Sequence, residues 1–196
     1  MAEEPKTLKT ELILQELSHL FMAPSHDRQV YCVYGPYERM RKFQKRILEE
    51  TNRGGFDTSR GKVEYLSINH EIFNHLKLLG KYEQAAKLAD RRRDAQLKTI
   101  LSDTFRDLVT RRIEAAGTSG LFLADIEFLY AYDLGEHDVS LARQVAINGK
   151  RICFLIPGVW RDGRLWIFDE DPNARRIFPD ALLFTSPGWV FQIADT

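Results

Sequence analysis

Two short, continuously apolar runs constrain the fold of this chain more than any other feature of its sequence. Residues 121–125 form the first run, which closes on a carboxylate, and residues 151–156 form the second, which stops at Pro157-Gly158. Between them lies an amphipathic segment that predicts a helix at 139–147. Strands that are apolar throughout are typical of a buried parallel sheet, because helices cover both of its faces. The stretch therefore predicts an α/β fold with a mostly parallel sheet flanked by helices.

Strand and helix signals alternate along the first third of the chain. Leucines at helical spacing predict a helix that starts at Thr7 and ends near Pro24. Strands are predicted at 29–34 and 63–68, and each is followed by a helix. Asn69 is interpreted as the N-cap of the second of these helices, because its side chain can accept from free amides in the first turn.

Two later regions depart from this simple alternation. Helix signal fills 81–116, which is long for a crossover between neighbouring parallel strands and predicts a helical insertion. The region 157–193 predicts a C-terminal β-hairpin with a glycine turn at 159–168, then short strands at 181–185 and 189–193.

Composition limits the class of protein. A chain of 196 residues with 44% hydrophobic content is long enough for one α/β core, and we interpret residues 1–196 as a single domain. Lys+Arg and Asp+Glu are 28 each, without the basic surplus usual in nucleic-acid binders. Cys32 and Cys153 are too few for a disulfide framework, so we expect two reduced core thiols. There is no signal-peptide pattern and no run near the roughly 20 apolar residues that span a bilayer, so we expect a cytoplasmic protein with no membrane partner.

The carboxylate that closes the first apolar run raises the hypothesis of nucleotide hydrolysis, since such folds hold their metal at the acidic end of a strand. Asp125 and Glu127 would be the residues concerned. A phosphate-binding loop also needs G-x-x-x-x-G-K-[ST], whose glycines let the backbone wrap the phosphates. After its first predicted strand this chain offers Gly35-Pro36-Tyr37, with a single glycine and a proline that removes an amide.

The acidic half of the machinery is present without the phosphate half, which argues against nucleotide hydrolysis. Asp125 is then interpreted as a helix cap or a relic. A divergent nucleotide-binding protein or ATPase that uses Asp125 and Glu127 stays open as an alternative.

Other patterns for catalysis and metal binding are missing from the sequence. The five histidines form neither H-x-x-x-H nor H-E-x-x-H, and there is no G-x-S-x-G and no Rossmann glycine fingerprint. We therefore assign no catalytic, cofactor-binding or metal-binding residue, expect no cofactor, and favour a non-enzyme. Basic runs at 39–46 and 91–93 leave a nucleic-acid-binding module as a further alternative, although solvated or ion-paired helix surfaces are the commoner meaning of such runs.

Aromatic residues on loops and late strands are the remaining functional signal. Tryptophan, tyrosine and arginine are enriched in the energetic centres of protein interfaces, although they also occur as ordinary core residues. Trp166, which alternates with aliphatic residues, fits a core as well as an interface. The candidate partner-binding residues are Tyr37, Trp160, Arg161, Trp166 and Trp189.

The order of these segments resembles the BrxB-type proteins of bacteriophage-exclusion (BREX) systems. The segments that carry the resemblance are VYCVYGPYERMRKF, VEYLSINHEIFNHLKLLGKYE, LFLADIEFLYAY and RICFLIPGVWRDGRLWIFDED, and together they cover most of residues 8–185. The compact motif among them is Ile156-Pro157-Gly158, followed by Gly163, Leu165 and Phe168.

The resemblance implies a degenerate nucleotide-binding α/β fold of the P-loop-NTPase type, with no catalysis of its own. Such a protein would serve antiviral defence as an assembly component of a BREX-like complex. Its implied partner is PglZ, a large alkaline-phosphatase-like protein, with other BREX components as further candidates and contact with nucleic acid only indirect. The family brings no catalytic residues to this sequence.

Overall fold

The computed structural model describes residues 5–23, 30–89, 95–115, 117–132, 134–135, 144, 149–168, 175–178 and 190–194, the side chains of residues 113, 127 and 128 excepted. In chain order the elements are β1 (Lys6–Leu8), α1 (Thr10–Met22), β2 (Val30–Gly35), α2 (Tyr37–Asn52), β3 (Lys62–Ser67), α3 (Ile68–Leu78), α4 (Tyr82–Ala89), α5 (Ala95–Glu114), β4 (Thr118–Ala124), α6 (Glu127–Ala131), β5 (Arg151–Pro157), β6 (Val159–Arg161), β7 (Arg164–Ile167), β8 (Arg176–Phe178) and β9 (Val190–Ile193).

A parallel sheet of six strands forms the centre of the molecule. Its strand order is β1-β9-β2-β5-β4-β3, and every neighbouring pair runs parallel. All residues of β2 and β4 are buried, as are those of β5 before Pro157. Burial on both faces explains why these strands are apolar throughout instead of alternating. The prediction of an α/β fold with a mostly parallel sheet flanked by helices is confirmed.

One face of the sheet is covered by α1 and α2. The buried side of α1 packs on the sheet, as expected for the first predicted helix. The ring centroid of Phe21, on α1, lies 5.0 Å from that of Phe122 on β4. The ring centroid of Phe56 lies 4.8 Å from that of Phe122. Aromatic pairs of this kind contribute about 0.5–1.5 kcal/mol each beyond their buried area.

The opposite face of the sheet is covered by α3, α4 and α5 and by a second sheet. The region predicted as a helical insertion packs there, since Leu97, Leu101 and Phe105 of α5 share one hydrophobic cluster with Leu121 and Phe154 of the central strands. The second sheet has three antiparallel strands in the order β6-β7-β8 and is called the small sheet below. Its inward side chains join the same cluster.

One expectation from the sequence is wrong, and others concern residues outside the described part of the structure. Helix α3 starts at Ile68, directly after β3, so Asn69 lies inside the first turn and is not the N-cap. Among the described residues, no hydrogen-bond partner reaches the buried Asn69 Oδ1. The predicted strand at 181–185 lies outside the described residues, as does the predicted helix at 139–147 except for residue 144.

The two cysteines are buried on neighbouring central strands and are not paired with each other. Burial raises the pKa of both thiols well above the ordinary range, and for Cys32 the nearby Cys153 adds to this. Protonated, enclosed thiols are poor nucleophiles. The prediction that both cysteines are unpaired core residues is confirmed. None of the described helices is long and apolar enough to cross a membrane.

Candidate functional site at the carboxyl edge

All strands of the central sheet end at one edge, which we call the carboxyl edge. In the strand order, β3 lies on one side of the β2–β5 pair and β9 lies on the other. The chain therefore leaves β2 in one direction along the sheet and leaves β5 in the opposite direction. The neighbours β2 and β5 therefore form a topological switch point, and open α/β sheets bind ligands in the crevice outside such strand ends. A ligand site, if the fold has one, is expected around Gly35 and Pro157.

The turn after β2 is closed tightly. Pro36 alone separates the strand from α2, and the Gly35 carbonyl accepts a hydrogen bond from the Gly158 amide at 3.0 Å. A Cβ added to Gly35 would lie 3.2 Å from the Cβ of Ile193. The chain passes from strand to helix without the run of successive amides that wraps a phosphate in a glycine-rich loop.

A small cavity lies beside this turn, between α2 and the ends of β4 and β5. Its volume is about 80 Å³. Met40 and Gln44 are buried, whereas Tyr37 is 50% exposed, so the first two form its depth and the third its rim. The lining residues are Tyr37, Met40, Arg41, Gln44, Asp125 and Pro157.

Asp125 reaches this cavity from the end of β4. Its backbone adopts a left-handed conformation with φ at 57°, and its Oδ2 accepts a hydrogen bond from the Ser67 hydroxyl at 2.5 Å. The interpretation of Asp125 as a helix cap is wrong, because Ile126 holds the N-cap position of α6 and no side chain caps that helix among the described residues. The side chain of Glu127 lies outside the described part of the structure.

Gln44 is the least expected member of the cavity wall. It is 8% exposed and lines the cavity. Burying an amide is costly unless its polar atoms find partners, so its contact with a polar cavity is the arrangement expected. A glutamine amid helical arginines and lysines carries no signal that sequence reading could use.

The basic run at 39–46 forms an ordinary helix surface in part. Arg46 lies 3.7 Å from Glu49 and 3.8 Å from Glu50 on the same helix, and Arg41 lies 6.0 Å from the Tyr37 ring centroid. The run at 91–93 lies outside the described residues. A site of three or more His, Cys, Asp or Glu side chains that could hold a metal is not found within the described chain.

Two of the remaining partner-binding candidates, Trp160 and Trp166, lie on the small sheet. Trp160 points inward, partly buried against the core, with its ring 6.0 Å from Tyr34. Trp166 lies on the opposite side and donates its Nε1 hydrogen to the Arg161 carbonyl at 3.3 Å. Trp189 lies outside the described residues.

The solvent side of the small sheet is apolar at its centre. Val159 pairs with Trp166, and Trp166 pairs with Ile177, so the three side chains form one row across three strands. Val159 is 37% and Ile177 36% exposed. Arg161 and Arg164 pair beside this row, next to the Asp162-Gly163 turn. We call these five residues the outer face: Val159, Arg161, Arg164, Trp166 and Ile177.

A third polar cluster joins α3 to α5. The buried His75 Nε2 lies 2.7 Å from Asp107 Oδ2, and Arg111 donates to the same carboxylate at 2.9 Å. These hydrogen bonds, first that of His75, hold the pKa of Asp107 below its ordinary value. The cluster fixes two helices to each other and lies apart from the cavity lining.

The geometry therefore offers a closed turn, a small polar cavity and an apolar row with cations beside it. The row is exposed at Val159 and Ile177 and half-buried at Trp166. Comparison with known proteins adds no relative, since no protein-family model, curated protein or solved structure matches the chain.

Proposed function

We propose that this chain is a cytoplasmic, non-catalytic assembly component of a BREX-like phage-defence complex and that it docks on a PglZ-type protein. The observation that carries the non-catalytic part is the turn after β2. Pro36 alone joins strand and helix, and Gly35 is packed against Ile193. Phosphoryl transfer depends on positioning the phosphates with amides, lysine and magnesium, and this turn leaves no loop to do so.

The strand order supports a degenerate relation to nucleotide-binding folds. If β2, β3, β4, β5 and β9 are numbered 1 to 5 in chain order, their order across the sheet is 5-1-4-3-2. The likeness to P-loop NTPases is a fold-level analogy and carries no activity with it. Gly35-Pro36 stands where their phosphate loop would begin.

The docking part rests on the BrxB resemblance and on the outer face. Apolar and aromatic side chains exposed together on a folded surface are typical of interaction sites. The experiment is co-purification of the tagged chain with a co-expressed PglZ-type protein, followed by titration. We expect a stoichiometric complex, and failure to retain that partner would refute the docking proposal.

A matched pair of variants makes the test specific. Trp166→Ala changes the outer face, whereas Leu78→Ser changes a residue that is 83% exposed at the end of α3. We expect the first to weaken the complex and the second to leave it unchanged. Equal losses would mean that exposed apolar area in general, and not this face, holds the partner.

Nucleotide binding is the second candidate function, because Asp125, which accepts a hydrogen bond from Ser67, lines a cavity next to the start of α2. The cavity volume of about 80 Å³ argues against it, since small-molecule sites run to about 300–1,000 Å³. Thermal unfolding with and without Mg²⁺ and ATP tests it. A shift in Tm that Asp125→Asn abolishes would favour this candidate; asparagine suits the variant because it tolerates the left-handed backbone.

A further inference from the structure

We infer that the outer face binds an acidic surface with an apolar centre on another protein, and that Trp166 is the central contact. The inference rests on the proposed docking function for the identity of that protein. It adds the chemistry of the contact, which neither the resemblance nor the fold supplies.

Register is the first argument. The row of Val159, Trp166 and Ile177 comes from three strands, and directly opposed side chains on one face of a sheet lie within contact distance of each other. Alternate residues on the same strands point into the core, where Leu165 and Phe178 are fully buried. The small sheet is therefore apolar on both faces, although only the inward face has core to pack against. An apolar row on the solvent side is not required by the fold.

Charge is the second argument. Arg161 and Arg164 are exposed and directly opposite each other across β6 and β7. Two guanidinium groups beside an apolar row match a partner surface that carries carboxylates around an apolar centre, because the planar donors of arginine fit the two oxygens of a carboxylate.

Size is the third argument, and it sets the role of this face within the interface. Three side chains are far fewer than the roughly 20–30 residues on each side of a standard interface. They match instead the small central cluster that dominates affinity, with a polar rim around it. The arginines lie at that rim, where they steer association and make it depend on salt.

Nucleic acid is the competing occupant, since an aromatic side chain beside arginines can also stack on a base. The aliphatic residues on both sides of Trp166 favour a protein surface, because stacking does not use Val159 or Ile177. The two occupants differ in a measurable way, which the experiment below uses.

The test titrates the full chain with the PglZ-type protein at low and high salt, using wild type and variants of the outer face. We expect Trp166→Ala and Ile177→Ser each to weaken binding about tenfold or more. Arg164→Glu should weaken it and reduce its salt dependence, whereas Lys45→Glu, an exposed charge reversal on α2, should change neither beyond the net-charge effect. If wild type binds and the outer-face variants bind equally well, this inference is overturned while the proposed function stands.

A second arm uses probes that do not depend on that partner. A short peptide of alternating glutamate and leucine should bind wild type and lose affinity for Arg164→Glu, whereas a lysine–leucine peptide should not bind. Retained binding of the acidic peptide would support the surface chemistry even if the PglZ-type protein does not bind. Tighter binding of single-stranded DNA than of the acidic peptide, lost in Trp166→Ala but unchanged in Ile177→Ser, would overturn the inference in favour of nucleic acid.

Discussion

The carboxyl edge of the central sheet and the outer face of the small sheet contrast in how they use their side chains. At the carboxyl edge, where an α/β fold is expected to bind ligands, Gly35 is packed against Ile193 and the cavity holds about 80 Å³. On the outer face, where the fold requires no binding site, Val159 and Ile177 are more than a third exposed. The contrast is the reason why we propose that a partner is recognised by the small sheet and not by the strand ends.

The largest expected effect separates buried from exposed apolar groups. Phe122 is fully buried between Phe21 and Phe56, so Phe122→Ala should lower the free energy of unfolding by about 3–5 kcal/mol. Ile177→Ala on the outer face should lower it by less than about 1 kcal/mol. Chemical denaturation measures both, and similar losses would mean that the outer face serves stability instead of binding.

The closed turn gives the next largest effect. A branched side chain at Gly35 must displace Ile193, so Gly35→Val should destabilise the fold by about 1–3 kcal/mol. Since valine suits a strand, the cost comes from crowding. In a double-mutant cycle with Ile193→Ala, the two losses should be less than additive. Full additivity would show that the two residues are not in contact and that the turn has room.

Substitutions at Asp125 test whether its backbone is left-handed at the cavity wall. A residue other than glycine, asparagine or aspartate in a left-handed conformation costs about 1–2 kcal/mol. Asp125→Ala should therefore be less stable than Asp125→Gly by about 1 kcal/mol, the reverse of the order at an ordinary position. Denaturation of both variants checks this, and the ordinary order would contradict the left-handed geometry.

The smallest effect is the acid dependence due to Asp107, which lies away from both regions. Its pKa in the folded protein is below the ordinary value of 3.8, chiefly through His75. A depressed pKa gives stability that is present above the unfolded value and is lost as the pH falls through the folded value. Stability should therefore decline below about pH 4, and less steeply in Asp107→Asn. Asp103→Asn, an exposed change on the same helix, is the control and should keep the wild-type slope.

Much of the central sheet could be predicted because burial on both faces leaves a local signature. The runs that became β4 and β5 are apolar without interruption, and the leucine spacing of α1 fits a helix with one buried side. Asn69 failed as a cap because β3 passes directly into α3, a junction that propensity does not reveal.

The sites were harder to predict because they depend on contacts distant in sequence. Trp166 was a candidate, but Val159 and Ile177 meet it only through strand register. Trp160 was also a candidate for partner binding, yet it packs inward beside Tyr34 because alternate residues of a strand point to opposite sides. Similarly, Gln44 and Asp125 come together only when α2 crosses the strand ends.

The central claim is that this chain docks on a partner and does not bind nucleotide. Parallel calorimetric titrations of the wild-type chain, one with the PglZ-type protein and one with Mg²⁺ and ATP, test it most directly. The account predicts a saturable heat with the protein, lost in Trp166→Ala, and no saturable heat with the nucleotide. Saturable nucleotide binding that depends on Asp125, together with no binding of the protein, would contradict it.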